Sequence, residues 1–144
     1  MKHPRLHTGF LSILLTFLSA CSPPEGVRQP EEFIKVYSAA WEDQDIEAIL
    51  AMRVRKTFVD RSVPGDLTLP VEEYWYRLEK EEVQASLERH DLFAQAWAAT
   101  RYERHREHGD HIHVDVLVDG ARSSVVLVRV GEFLKIHPDP SSFP

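Results

Sequence analysis

HIHVDVLVDGARSSVVLVRVGEFLKI, residues 111–136, is where the chain takes up a period of two. Ile112, Val114, Val116 and Val118 fall on one side, alternating with His111, His113, Asp115, Leu117 and Asp119 on the other. That alternation is the pattern of a strand with one buried face. Asp119-Gly120 is hairpin chemistry, because both residue types tolerate the positive φ that the tightest β-turns require. Residues 123–130 (SSVVLVRV) are apolar on both faces, as expected of a more central strand, and Phe133-Leu134-Lys135-Ile136 reads as a short last strand. Gly109, Gly120 and Gly131 recur every 11 residues and mark the turns of an antiparallel meander. The first strand of that meander is expected over roughly residues 96–106, where the alanines leave helix as the competing reading.

Upstream the period is helical. Pro30 followed by Glu31-Glu32 starts a helix, since proline lacks the amide proton that the first turn cannot use and acids suit the positive end of the helix dipole. Phe33, Val36, Tyr37, Ala40 and Trp41 form its apolar stripe. Asp45 is placed to cap a second short helix carrying Ile46, Ile49 and Leu50, with Val54 as its furthest extent. Residues 57–70 read as loop, with Pro64-Gly65-Asp66 as a turn. A third helix is expected from Pro70 to about His90, with Val71, Tyr74, Trp75, Leu78, Val83 and Leu87 on its apolar face. Helices first and an antiparallel sheet second make an α+β domain over residues 30–144, the helical stripes covering one sheet face.

The start of the chain is of another kind. Lys2, His3, Arg5 and His7 precede a 12-residue, mostly apolar run, GFLSILLTFLSA, residues 9–20. A membrane-spanning helix needs about 20 apolar residues, so this run suits a cleavable signal peptide over residues 1–20. The next residue, Cys21, is the only cysteine, so no intramolecular disulfide forms. Residues 21–29 are rich in Pro, Gly and polar residues and read as a flexible tether. The whole chain carries a formal charge of −6; Lys2 and Arg5 lie in the first 20 residues with no acid, so the remainder carries −8. A domain this acidic has no electrostatic footprint for nucleic acid. It is also not drawn to an anionic lipid surface by charge.

Leu18-Ser19-Ala20-Cys21 resembles the lipobox of bacterial lipoproteins, and basic start, apolar run, small residues and cysteine arrive in register. The resemblance implies cleavage before Cys21, diacylglycerol on its thiol, and an envelope protein held to the membrane by that lipid. In enterobacteria-like lipoproteins an Asp at the next position favours inner-membrane retention; Ser22 therefore points to the outer membrane. An ordinary secretory signal followed by a free thiol is the competing reading.

The order of elements over residues 31–137 resembles the cystatin-like, NTF2-like cone. FIKVYSAAW in the first helix, the Asp-x-Glu-Ala-Ile-Leu second helix and the closing VVLVRVGEFLKI carry that resemblance. Such cones include enzymes and non-enzymes alike, and nothing here maps onto a catalytic set of theirs, so the fold assigns no activity. No nucleophile elbow, phosphate loop or diagnostic acid–base pair occurs, and no cofactor is implied. His105, His108, His111 and His113, with Asp110 and Asp115, match no established zinc spacing and read as a solvated hairpin face. If the turn centres on Gly109-Asp110, however, three imidazoles approach one another. Tyr37, Trp41, Tyr74, Trp75 and Trp97 read as core, with the mouth of a cone as the alternative. Arg53, Arg55, Lys56 and Arg61 read as a solvated helix end. Two functions follow: a membrane-tethered binding or interaction domain with an envelope protein partner, or a small-molecule binder or enzyme using the cone interior.

Overall fold

In a computed structural model, which describes residues 26–54 and 71–136, the helices are written into their ends. Helix α1 (Pro30–Glu42) has proline in its first turn with Glu31 and Glu32 beside it. Helix α2 (Ile46–Ala51) is capped by Asp45, whose carboxylate accepts the Ala48 amide at 3.0 Å. Helix α3 spans Val71–Arg89. It is followed by a short helix α4 (Leu92–Ala98), whose cap Asp91 accepts the amides of Phe93 and Ala94, each at 3.1 Å. Ser86 Oγ, at the end of α3, donates to the same carboxylate at 2.6 Å. One aspartate thus ties the two helices together and satisfies orphan amides of the second.

Four antiparallel strands follow in simple order: β1 (Thr100–His108), β2 (His111–Val118), β3 (Ala121–Val130) and β4 (Phe133–Ile136). The turns fall at Gly109-Asp110, Asp119-Gly120 and Gly131-Glu132, and the three glycines and Asp119 all have positive φ. Val114 pairs with Val125 and Ile112 with Leu127, which stacks their side chains on one face. That face is sealed. Ile112, Val114, Val116, Val125, Leu127, Leu134 and Ile136 are buried in one cluster with Phe33, Ile34, Tyr37 and Trp41 of α1 and Trp97 of α4. Val118, at the end of the alternation, is only partly buried against that cluster.

Two expectations are corrected. Residues 96–98 belong to α4, so the first strand starts at Thr100 and not at 96. Asp91 explains the change, because a capped start lets the alanine-rich LFAQAWA close a helix before β-pairing begins. The tether also ends sooner than residue 29. Val27 is buried, and its carbonyl accepts the Leu134 amide of β4 at 2.7 Å. Beyond it Met52 accepts from Ile136 at 2.9 Å, and Val54 donates to Ile136 at 3.1 Å. The outer edge of β4 is therefore covered by two stretches that are not strands of the sheet, which deals with an otherwise open edge. The signal peptide expected over residues 1–20, Cys21, and the loop expected at 57–70 lie outside the described residues.

Two stability measurements check this packing. Val114→Ala, in the sealed face, is expected to cost about 1–3 kcal/mol in urea unfolding through lost transfer energy and a cavity. Asp91→Ala is expected to cost about 1 kcal/mol by loss of the cap. The Ser86 hydroxyl and then the Ala94 amide hold the Asp91 carboxyl below its usual range. The stability it contributes is therefore complete above the ordinary carboxylate pKa of about 4, and is lost as pH falls through the lower folded value. Wild type and Asp91→Ala should converge in stability as the pH is taken down through that window.

Candidate functional site

The space between α1, α4 and the sheet holds the protein's own rings. Tyr37 meets Trp97 edge-on with centroids 4.8 Å apart, stacks on Phe33 at 5.7 Å and meets Trp41 at 6.3 Å. Trp41 in turn meets Phe93 at 5.5 Å. These are the offset and T-shaped arrangements that aromatic quadrupoles favour. The helical-stripe residues Tyr37, Trp41 and Trp97 are core, as their spacing suggested. Tyr74 and Trp75 are only half-buried on α3 and touch each other edge-on at 5.2 Å.

The Tyr37 hydroxyl and the Trp41 and Trp97 indole nitrogens are buried within this layer. Burial pushes the Tyr37 phenol above its ordinary range, and the nearby Arg53 charge pulls the other way. Arg53 Nη1 bonds Glu79 Oε1 of α3 at 2.9 Å, with the two side chains only 11% and 12% exposed. Arg53 is therefore not a solvated helix end. It follows α2, forms a parallel bridge with Ile136, and carries its guanidinium under α3. No sequence spacing links Arg53 to Glu79, 26 residues apart. The only hint available was a lone carboxylate among the apolar positions of the third helix. Arg55, Lys56 and Arg61 lie outside the described residues.

Beside Arg53 runs a cleft of about 540 Å³, walled by Glu47, Leu50, Tyr76, Val130 and Lys135. Its polar groups are largely spent on one another. Tyr76 donates to Glu47 at 2.9 Å, Lys80 pairs with the same carboxylate, and the Lys135 ammonium donates to the Ala51 carbonyl. Partial burial lowers the Lys135 pKa. The Lys80 and Tyr76 hydrogen bonds lower that of Glu47. Among the described residues, the carboxyls with a displaced range (Glu47, Asp91 and Asp115) are displaced downwards, towards the charged form. A general acid needs the opposite displacement.

The histidines divide between faces. The turn does centre on Gly109-Asp110, with His108 directly opposite His111 and the His108 and His113 rings 5.9 Å apart. His105 pairs in register with Val114, on the helix-facing side, and its Nδ1 lies 2.8 Å from the Tyr102 hydroxyl. The turn therefore gathers three imidazoles on one side and sends the fourth to the other. Among the described residues no group of three His, Cys, Asp or Glu side chains is disposed to hold a metal ion. Asp115 is engaged elsewhere: its oxygens take Arg104 at 2.6 Å and Arg106 at 3.4 Å, and the Arg104 hydrogen bond holds its carboxyl below the usual range. With its side chain only 16% exposed, Asp115 is a clamp across β1 and β2 and not the freely solvated residue that the alternation suggested.

The chain was compared with protein-family models, curated proteins and solved structures, and none of them matches it.

The Arg53–Glu79 pair makes a distinct prediction. Removing one partner of a fully buried pair costs about 3–5 kcal/mol, so Glu79→Ala at this small residual exposure is expected to cost about 2 kcal/mol. Arg53→Met/Glu79→Leu should recover most of that loss, because no buried charge is then left uncompensated. A double variant less stable than Glu79→Ala would show that Arg53 serves a partner more important than Glu79.

Proposed function

We propose that this is an envelope lipoprotein: a small α+β interaction domain held to a membrane by lipid on Cys21, with another envelope protein as its partner. The anchor is supported by the lipobox-like LSAC, in register with a basic start and an apolar run too short to span a bilayer. Among the described residues no helix is long and apolar enough to cross a membrane. Two or three acyl chains anchor stably where one does not, at about 0.8 kcal/mol per buried CH₂. Ser22 favours the outer membrane, on the periplasmic face.

The observation that carries the interaction reading over catalysis is the filled interior. A cone enzyme works in an apolar pocket lined by a few displaced acids, whereas here Tyr37, Trp41 and Trp97 occupy that volume. The outer sheet face instead carries the half-buried Leu117, Val126 and Val128 beside the exposed Val130. We read the architecture as a closed variant of the NTF2-like cone. The cleft beside Arg53 and Lys135 favours a second reading, a small-molecule binder of the same architecture. Exposure of the outer face favours the first.

Intact-mass analysis of membrane-extracted protein is expected to give a chain that begins at Cys21 and carries added acyl mass. Cys21→Ala should leave the domain folded but stall processing or release it from the membrane. An unmodified Cys21 in a soluble product would remove the anchor.

A further inference from the structure

We infer that the β3–β4 hairpin tip is the bilayer-docking end of the domain, its partner being the headgroup layer of the membrane that holds the Cys21 lipid. This rests on the lipoprotein reading and adds an orientation to it. Among the described residues, the chain enters the folded domain along β4. Gly26 lies flat on the Phe133 ring, so closely that a Cβ there would come within 2.3 Å of it. Val27 is pinned to Leu134 of β4, and the Arg28 guanidinium sits 5.7 Å over the same Phe133 ring while pairing with Glu132 in the turn. Arg129 Nη1 bonds the Arg28 carbonyl at 3.4 Å. Backbone, ring and ion pair together fix the point of entry to the Gly131-Glu132 turn.

From that point to Cys21 the chain has five residue steps, which span at most about 18 Å fully extended. The acyl chains lie in the hydrocarbon, so the entry point is held within about 18 Å of the headgroups. Val130, directly opposite Phe133 in the β3–β4 pairing and 50% exposed, is the apolar residue this brings to the membrane. An apolar side chain with cations beside it suits the interface. Net attraction does not drive the contact, because Glu31 and Glu32 follow closely and the mature chain is acidic. The covalent tether does, by abolishing the choice of end. β3 is ten residues long, so the Asp119-Gly120 turn stands about 30 Å away along the strand, turned to the aqueous side. That opposite end, with the outer sheet face around Leu117 and Val126, is left open to a partner protein.

The test uses the full lipidated chain in phospholipid vesicles carrying a headgroup-level nitroxide quencher. In an acylated chain the Cys21 thiol is blocked, so a single cysteine at Val130→Cys, Asp119→Cys or Leu92→Cys takes a fluorophore alone. Leu92, 83% exposed on α4, is the control for a merely apolar contact. The expected result is several-fold stronger quenching at position 130 than at 119 or 92. Inserting about 20 Gly/Ser residues between Glu25 and Gly26, which adds roughly 25 Å of reach as a flexible coil, should remove that difference. Equal quenching at the three sites, or strongest quenching at 92 or 119, in a chain shown by mass to be acylated overturns the orientation and leaves the anchor standing. A chain without acyl mass overturns both.

Discussion

The domain depends on burying one face of two strands. Ile112, Val114 and Val116 of β2 and Val125 and Leu127 of β3 have no stable alternative to an apolar cover, since a one-residue slip would turn them all to water. The cover is aromatic and comes from two helices far apart in sequence, α1 with Phe33, Tyr37 and Trp41 and α4 with Trp97. Rings of that size meet the sheet face only if α1 and α4 lie side by side, and the Ser38 hydroxyl marks the junction by donating to the Ala98 carbonyl at 2.9 Å. The filled interior is thus a consequence of sealing the sheet.

The two edges of the sheet are managed differently. β4 is short, and its outward-facing groups are taken up by Val27 and by Met52 and Val54. β1 is nine residues long and carries TRYERHREH, a sequence dense in charge. Charged side chains on an edge oppose pairing with another chain, so β1 needs no cover of its own. Its charges are also employed within the sheet: Asp115 draws Arg104 and Arg106 together, and Arg122 meets Glu103 at 2.9 Å. A bulge between Tyr102 and Arg104 interrupts the pairing of β1 with β2. Such bulges twist an edge and make it a poorer template.

Much of this was legible in the residues, and what was not has definite causes. The alternation at 112–118, the glycines at 109, 120 and 131 and the capping role of Asp45 are local signals, and local signals survive without knowledge of the fold. The α4–β1 boundary was misplaced because LFAQAWAATRYERH contains no breaker; only the cap at Asp91 shows where the helix starts. Val27 carried no periodicity at all, since its burial is fixed by a strand at the other end of the chain. Arg53 was read as solvated because a charge beside a helix end usually is; its partner Glu79 is a tertiary fact. The histidine turn was legible as one of two alternatives, and which alternative holds is decided by the register of a single hairpin.

The seating of the entry segment on β4 has a consequence for the order of assembly. Arg28 and Arg129 meet across 101 positions of sequence, and the Val27 carbonyl waits for the amide of a residue near the end of the meander. Closing so long a loop is entropically costly and comes late in folding. A chain that emerges amino terminus first cannot complete this contact until its last strand has emerged too. Residues 26–28 are therefore among the last to find their place, although they precede every helix and strand. If Cys21 is a lipidation site, as proposed, this timing keeps residues 26–28 off the sheet until the last strand arrives.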